Sequence, residues 1–372
     1  MARRSLLDHF TELPDPRIDR SKKHRLDDIL VIALCALLCG ATTFEEIEEF
    51  AECRADWLKD FLTLENGIPS HDTIYRVFCA LDAKVFADCF GRWLADWGQT
   101  LGLKHVALDG KSLRGAGGNT FSGCVHLVSA WAPEHGLILG QEAVAEHASE
   151  ATAIPAILET LHVKGALVTI DAAGCQREIV EAIREKGGDY LIAVKKNQPT
   201  LHAAIERVFA DACATDFAGV TYTQHESVDD GHGRHEERYV TVVADPPGLP
   251  DGWRDAAAVV QVNRERKVAG TTTSTTHYYL TSKVASAKTL GRLIRRHWAI
   301  ENELHWVLDV AFGEDANRTR DRNASANLGL VRRVAISLLK QESSTISKPR
   351  KQFRATLDPD YLKKLLQGNT VI

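Results

Sequence analysis

The chain has 372 residues, of which 44% are hydrophobic and 26% are charged, which is typical of an ordinary globular protein of two or three domains. The longest apolar run, Ile29 to Ala41, is too short to cross a bilayer, and no signal-peptide pattern is present, so a cytoplasmic protein without a membrane partner is expected. The eight cysteines form no CxxC pair, and a net charge of −5 neither predicts nor excludes a nucleic-acid binder.

Residues 1–98 are predicted to form a small helical domain, because their apolar residues from position 27 onward recur at helical spacing. Between two such stretches, Gly67–Thr73 supplies turn residues and then a Ser or Asp cap for a helix that begins near Thr73. This layout resembles a helix-turn-helix, so the domain is a candidate DNA-binding domain, although an ordinary helical bundle explains the pattern equally well.

Strand patterns begin at residue 104 and alternate with helix patterns up to residue 194. Strands are predicted over His105–Asp109, Cys124–Trp131, Leu137–Val144, Ala166–Asp171 and Asp189–Val194, with helices over Glu150–Leu161 and Gln176–Glu185. The order β-β-β-α-β-α-β is that of a ribonuclease-H-like fold, of the α/β (α+β) class. We therefore predict that residues 99–205 form the first part of a catalytic core. A β-rich insertion at 206–286, a core helix region at 287–340 that carries the third carboxylate, and a basic C-terminal tail at 341–372 follow it.

Two aspartates follow apolar strands in this core. Asp109 is followed directly by Gly110, which predicts a carboxylate exposed at a strand end, and Asp171 has the same setting with its glycine two places later. On neighbouring parallel strands the two carboxylates would lie close together, and such hard oxygen ligands suit Mg²⁺ or Mn²⁺, with room for two ions. Two ions held in this way are the usual machinery of phosphoryl transfer. The alternative is that both aspartates merely open turns.

A third acidic group is predicted on a long helix from about Lys288 to Val310. His297, Glu301 and His305 recur every four residues on one face of that helix. An exposed surface face and a His-Glu-His zinc site are both alternatives to a carboxylate ligand for a hard metal. The residues alone also leave Glu303 and Asp309 open as the acid concerned.

Taken together, several short stretches resemble the DDE transposases of bacterial insertion sequences, in the H-repeat-associated branch. They are Leu13–Arg17, Gly67–Thr73, Leu108–Ser112, Thr169–Ala173, Lys195–Gln198 and His297–Asn302 on to Asp309. The resemblance implies that Asp109, Asp171 and Glu301 are the catalytic metal ligands. It also implies cleavage and strand transfer at insertion-sequence ends, with double-stranded transposon and target DNA as partners and a homodimer on paired ends.

The residues around Glu301 depart from the wider group's signature, which has Tyr seven places before the glutamate, Arg four before and Lys seven after. Those places hold Ile294, His297 and Leu308 here. We therefore consider Arg295, Arg296, His297 and Trp298, which are close to Glu301 in sequence, as DNA contacts. Lys195 and Lys196, at the end of the predicted strand Asp189–Val194, are considered as further contacts, with an ordinary basic loop as the alternative. Two further interpretations are a nuclease of the same fold that stops at hydrolysis and a transposase-derived DNA-binding protein that has lost catalysis.

Overall fold

The computed structural model describes residues 5–117, 124–146, 148–231 and 233–367, and the chain forms two compact units. The first unit comprises Met1–Gly102, Gly110–Leu161 and Ile300–Ile372, and the second comprises Leu103–Asp109 and His162–Ala299. The outermost residues of two predicted segments, 1–4 and 368–372, lie outside the described residues. The units do not follow the predicted domain boundaries, because the amino-terminal helices share a core with helices from the end of the chain.

The helices and strands have the following bounds. The helices are α1 (Leu6–Thr11), α2 (Leu26–Leu38), α3 (Phe44–Cys53), α4 (Ala55–Lys59), α5 (His71–Ala80), α6 (Ala83–Leu101), α7 (Glu150–Thr160), α8 (Arg177–Glu185), α9 (Pro199–Ala214), α10 (Ala287–His297), α11 (Trp306–Phe312), α12 (Arg322–Gln341), α13 (Lys348–Leu357) and α14 (Pro359–Gln367). The strands are β1 (His105–Leu113), β2 (Val125–Ala132), β3 (Leu137–Ala143), β4 (Leu167–Ile170), β5 (Asp189–Val194), β6 (Tyr222–Gly231), β7 (Arg234–Ala244), β8 (Ala258–Val268) and β9 (Thr271–Thr281).

In the first unit, helices pack around α2 and α12. Every residue of α2 is buried, which explains why its sequence from Ile29 onward is apolar on all sides. Helix α12 contacts α2, α5 and α6, and therefore joins the amino-terminal helices to the rest of the unit. The predicted cap of α5 is confirmed, since the Ser70 side chain accepts a hydrogen bond from the Thr73 amide.

The segment 341–372, predicted as a basic tail, contains the two helices α13 and α14. Lys351 is 4% exposed, and its ammonium group donates to the carbonyl oxygens of Leu339 and Glu342 at 2.8 and 2.6 Å. The basic residues of this segment therefore do not all face solvent. Lys351 can be buried because carbonyl and carboxylate oxygens surround its ammonium group.

The strands of the second unit are ordered β1-β4-β5-β9-β8-β7-β6, and those of the first unit are ordered β3-β2-β1. Strand β1 contributes its first half to the second unit and its second half to the first. β1, β4 and β5 are parallel, whereas β9 pairs antiparallel with β5 and leads into the antiparallel strands β8, β7 and β6. The predicted order of elements from β1 to β5 is therefore what the structure contains, as a mixed α/β arrangement.

The predicted β-rich insertion continues the sheet of the second unit. It begins only at β6, because α9 occupies residues up to Ala214. Helix α10 packs against its buried face through Leu290 and Ile294, which contact a core that includes Val240 and Val260. The insertion and α10 therefore share one hydrophobic core.

The long helix predicted from Lys288 to Val310 is divided. Helix α10 ends at His297, a π-helical turn spans Glu301–His305, and α11 follows. π-Helical turns inside helices are rare and occur frequently at functional sites. Among the helices of the described residues, none is long and apolar enough to cross a membrane.

Candidate active site

Asp109 and Asp171 lie at matching positions on neighbouring strands. In the parallel pair of β1 and β4, His105 is opposite Leu167 and Leu108 is opposite Ile170. Asp109 follows Leu108 and Asp171 follows Ile170, so both aspartates lie just beyond the carboxyl-terminal end of the paired region. Adjacent strands lie about 4.8 Å apart, and residues in register point to the same face. The predicted proximity of these two aspartates therefore follows from the register.

The two aspartates differ in their backbone surroundings. The Asp171 carboxylate accepts hydrogen bonds from the amides of Ala173 and Gly174 at 2.9 and 3.4 Å, so it caps the short turn after β4. Asp109, in contrast, opens no turn, because β1 continues to Leu113. The predicted strand end at Asp109 was wrong. Asp109 lies at the end of the region paired with β4 because β4 is shorter than β1 and ends at Ile170.

Gly110 has a packing role that the sequence did not indicate. A Cβ atom at this position would lie 2.6 Å from Nε2 of His126 and still closer to the carboxylate of Glu150. His126 itself is hydrogen-bonded to Glu150 at 2.6 Å and to the hydroxyl of Ser112 at 2.7 Å. Glycine after Asp109 therefore leaves room for this polar group to lie against β1, and a larger residue would displace the ends of the Glu150 and His126 side chains.

The loop after β5 is attached to the turn that contains Asp171. The Asn197 side chain donates to the Ala172 carbonyl at 2.6 Å, and the Gln198 side chain donates to the Cys175 carbonyl at 2.8 Å. Lys195 and Lys196, two of the predicted DNA contacts, are exposed at the start of this loop. Because β4 and β5 are parallel, these lysines and Asp171 lie at the same end of the two strands. Asn197 and Gln198 had no predicted role, and their side-chain amides position the loop.

The structure distinguishes the three acids that the sequence left open as the third ligand. Glu303 forms an ion pair with Lys340 at 2.7 Å, and Asp309 forms one with Lys111, also at 2.7 Å. Glu301 is exposed, and in the described part of the chain its carboxylate has no hydrogen bond or ion pair. Among the three, Glu301 is therefore the one that can accept a metal ion without first releasing a lysine.

His297, predicted as a DNA contact, is buried in the second unit. Its Nδ1 atom lies 3.0 Å from the hydroxyl of Thr169 on β4, and the same hydroxyl lies 2.8 Å from Nε2 of His105 on β1. Burial lowers the pKa of His297 to about 4 and, with the nearby His297 and Arg296, that of His105 to about 3. Both imidazoles are therefore neutral at pH 7. His297 holds the end of α10 against the sheet and cannot present a charge to DNA.

This buried pair makes stability depend on pH. In the unfolded chain both imidazoles have an ordinary pKa of about 6.5, so between pH 6.5 and pH 4 the unfolded state binds more protons than the folded state. The stabilisation of the folded state by these neutral imidazoles is complete above pH 6.5 and is lost as the pH falls towards 4. For His297 alone, the free energy of unfolding falls by about 3 kcal/mol over this range. We expect urea unfolding to become easier over that range, and less steeply so in His297→Asn. An imidazole resonance of His297 that titrates near 6.5 in the folded protein would contradict this.

The remaining predicted DNA contacts near Glu301 have different surroundings. Arg295 forms an ion pair with Asp229, an acid whose pKa is lowered by its hydrogen bonds to Arg238 and Arg295. Arg296 is exposed, and Trp298 is 47% exposed. The three positions of the wider signature, Ile294, His297 and Leu308, are all buried. The side chains at those signature positions therefore pack in the interior of this protein.

Two surfaces of the amino-terminal helical domain, outside the predicted helix-turn-helix around Gly67–Thr73, disfavour DNA. Helix α3 exposes four glutamates, Glu45, Glu46, Glu49 and Glu52. In the basic cluster of residues 17–25, three cations are paired with acids: Arg17 with Asp15, Lys22 with Asp19 and Arg25 with Asp27. Phosphate binding depends on local positive charge, and these pairs reduce it. DNA contact by this domain stays a prediction.

In the described ranges, no three or more histidine, cysteine, aspartate or glutamate side chains are grouped so that they could hold a metal ion. Neither the alternative zinc site of His297, Glu301 and His305 nor the predicted set of Asp109, Asp171 and Glu301 forms such a group among the described residues. Magnesium is ordinarily held by only one or two carboxylates together with waters and substrate phosphates, so a pair of aspartates fits this ion without an all-protein cage. The donor chemistry of Asp109 and Asp171 is that of a Mg²⁺ or Mn²⁺ site.

Comparison with known families shows to which class of protein the chain belongs. Residues 100–338 match the family model described as "Transposase DDE domain", and residues 7–94 match a model described as "DDE_Tnp_1-associated". The chain therefore belongs to the DDE transposases, and its function is DNA transposition. Within them it belongs to the H-repeat-associated branch, as its curated relatives indicate.

Two of those relatives carry the name "H repeat-associated putative transposase", YhhI and YbfD of Escherichia coli (strain K12). YhhI is 35% identical over 99% of this chain and 99% of its own length, and YbfD is 36% identical over 66% of this chain and 96% of its own. Among solved structures, the chain is similar to a piggyBac transposase synaptic complex with hairpin DNA, with 8% identity and a TM-score of 0.44, covering 98% of this chain and 78% of that one. The predicted family is confirmed by the relatives.

Proposed function

We propose that this transposase cleaves a DNA strand at the ends of its element and joins the freed 3′-hydroxyl to target DNA in one metal-dependent site on a ribonuclease-H-like core. Asp109, Asp171 and Glu301 are its metal ligands. The observation that carries the proposal is the register of β1 and β4, which brings Asp109 and Asp171 to the same end of adjacent parallel strands. Glu301 is the unpaired acid of the segment from 301 to 309.

The residues of the chain would act by holding and orienting. Two backbone amides orient the carboxylate of Asp171, and a continuous strand fixes the backbone of Asp109, so both residues are positioned before the substrate arrives. Divalent ions, when bound, supply activation of the attacking oxygen and stabilisation of the leaving oxygen. Because cleavage and joining are both in-line displacements at phosphorus, the same ligands serve both steps.

Double-stranded DNA, as transposon ends and as target, is the proposed partner, and joining two ends favours a homodimer with closed symmetry. Lys195 and Lys196 are proposed to contact the phosphates next to the site, since they are exposed on the loop tied to the Asp171 turn. Arg296 and Trp298 are further contact candidates because both are exposed beside the Glu301 segment.

Alanine replacement of both Lys195 and Lys196 is expected to weaken binding to transposon-end DNA and to make it less dependent on salt. Each lost phosphate contact reduces the steepness of the plot of log affinity against log salt by about 1. The plot for the double variant should therefore be less steep by about 2. The matched control is Lys104→Ala with Lys164→Ala, which removes two exposed lysines that precede β1 and β4 at the opposite ends of those strands. Equal slopes in the two double variants would remove the loop from the DNA interface.

A same-fold nuclease would perform the first step and stop. A strand-transfer assay with a precut transposon end separates the two functions, because only a transposase joins that end to a target duplex. Joined product that requires Mg²⁺ or Mn²⁺ supports the proposal. Hydrolysis without any joined product, under conditions where the ends are bound, would favour the nuclease.

A further inference from the structure

Two largely buried lysines pair with acids that follow Glu301 in the chain. Lys111, on β1, is 8% exposed, and its ammonium lies 2.7 Å from the Asp309 carboxylate. Lys340, on α12, has a side chain only 10% exposed, and its ammonium lies 2.7 Å from the Glu303 carboxylate. Glu303 belongs to the π-helical turn that Glu301 begins, and Asp309 belongs to the helix that follows it.

Each lysine is itself held by other parts of the first unit. The Lys111 ammonium also donates to Asp315 at 2.9 Å, and the Lys340 ammonium lies 4.4 Å from the ring centre of Trp131 on β2. Gly313 ends α11 with a left-handed φ of 57°, which lets the chain reverse so that Asp315 reaches the same lysine as Asp309. A buried ammonium is costly unless it is paired, so these contacts restrict where the acids can lie.

From this arrangement we infer that Lys111 and Lys340 are positioning residues for the third metal ligand, here called the lysine anchors. They hold the segment of Glu301 against β1 and α12 through Asp309 and Glu303, while the Glu301 carboxylate itself is left for the metal. The inference rests on the proposed function, because it assumes that Glu301 is a ligand. Lys111 lies two residues after Asp109, so one strand contributes both a ligand and an anchor.

The test measures Mn²⁺ binding to the full-length protein by calorimetry, alongside the thermal unfolding midpoint and strand cleavage. Lys111→Met and Lys340→Met should each weaken Mn²⁺ binding by about 10–100-fold, the usual effect of losing a group that orients a metal ligand. Cleavage should recover at high Mn²⁺, and Lys111→Arg should restore part of the affinity. The matched control is Lys59→Met, which removes a lysine from an exposed pair with Asp56 and should change nothing.

Several outcomes would overturn the inference. Unchanged Mn²⁺ affinity in folded Lys111→Met and Lys340→Met would do so. Tighter binding in Lys111→Met would also do so, because it would mean that Asp309 is the ligand and that Lys111 competes with the metal. If Lys111→Met does not fold, Asp309→Asn decides in its place, since it removes the anchored acid while Lys111 keeps Asp315.

Glu301→Gln separates failure of the inference from failure of the proposed function. If this variant binds Mn²⁺ as the wild type does, Glu301 is not a ligand and the proposed function fails at that residue. If Glu301→Gln weakens binding while the lysine variants do not, the ligand assignment stands and the anchors fail.

Discussion

Asp109→Asn is expected to lower Mg²⁺-dependent cleavage of transposon ends by about three orders of magnitude or more. The side chain keeps its size, but it loses the charge that holds a divalent ion, and the transition-state stabilisation supplied by such an ion amounts to several kcal/mol. Each loss of about 1.4 kcal/mol lowers the rate tenfold. The measurement is single-turnover cleavage of an end-containing duplex, followed by strand transfer from a precut end.

The control for this experiment is Asp211→Asn, which makes the same change at an exposed position on α9. Its cleavage rate should match that of the wild type. Asp171→Asn should resemble Asp109→Asn, with some loss of stability in addition, because Asp171 also caps the turn after β4. Equal cleavage by the wild type and Asp109→Asn would refute the proposed metal site.

Glu314→Gln is expected to destabilise the first unit by about 3–5 kcal/mol, the usual cost of leaving one charge of a buried pair without its partner. The Glu314 and Arg333 side chains are both 0% exposed and are joined at 2.6 Å. Arg333 also donates to the Ser129 hydroxyl at 3.1 Å, a contact that cannot replace the lost charge. Urea unfolding followed by circular dichroism measures the change.

The paired variant Glu314→Leu with Arg333→Met distinguishes loss of a partner from loss of the pair. Apolar replacement of a whole buried ion pair is often neutral or stabilising, so the double variant should be more stable than Glu314→Gln. Lys59→Met, which breaks an exposed ion pair, should cost no more than about 1 kcal/mol. A Glu314→Gln protein as stable as this surface variant would contradict the expectation.

Most of the core could be predicted from local sequence patterns. β5 has the predicted bounds, and α7 and α8 end within one residue of prediction, because apolar periodicity and turn residues determine where such elements begin and end. The division of the helix before Glu301 could not be predicted. A continuous helical pattern of apolar residues contains no sign of a π-helical turn, since the same residues remain helix formers on both sides of it.

The candidate site shows the same contrast. The sequence by itself determined that Asp109 and Asp171 each follow an apolar stretch with strand character, because a two-residue period is a local property. It could not decide among Glu301, Glu303 and Asp309, since their types and helical setting are alike. Only the tertiary structure decided that Glu303 and Asp309 are paired and that Glu301 is not. Their partners, Lys340 and Lys111, are remote in sequence, and only packing brings buried ammonium groups to these carboxylates.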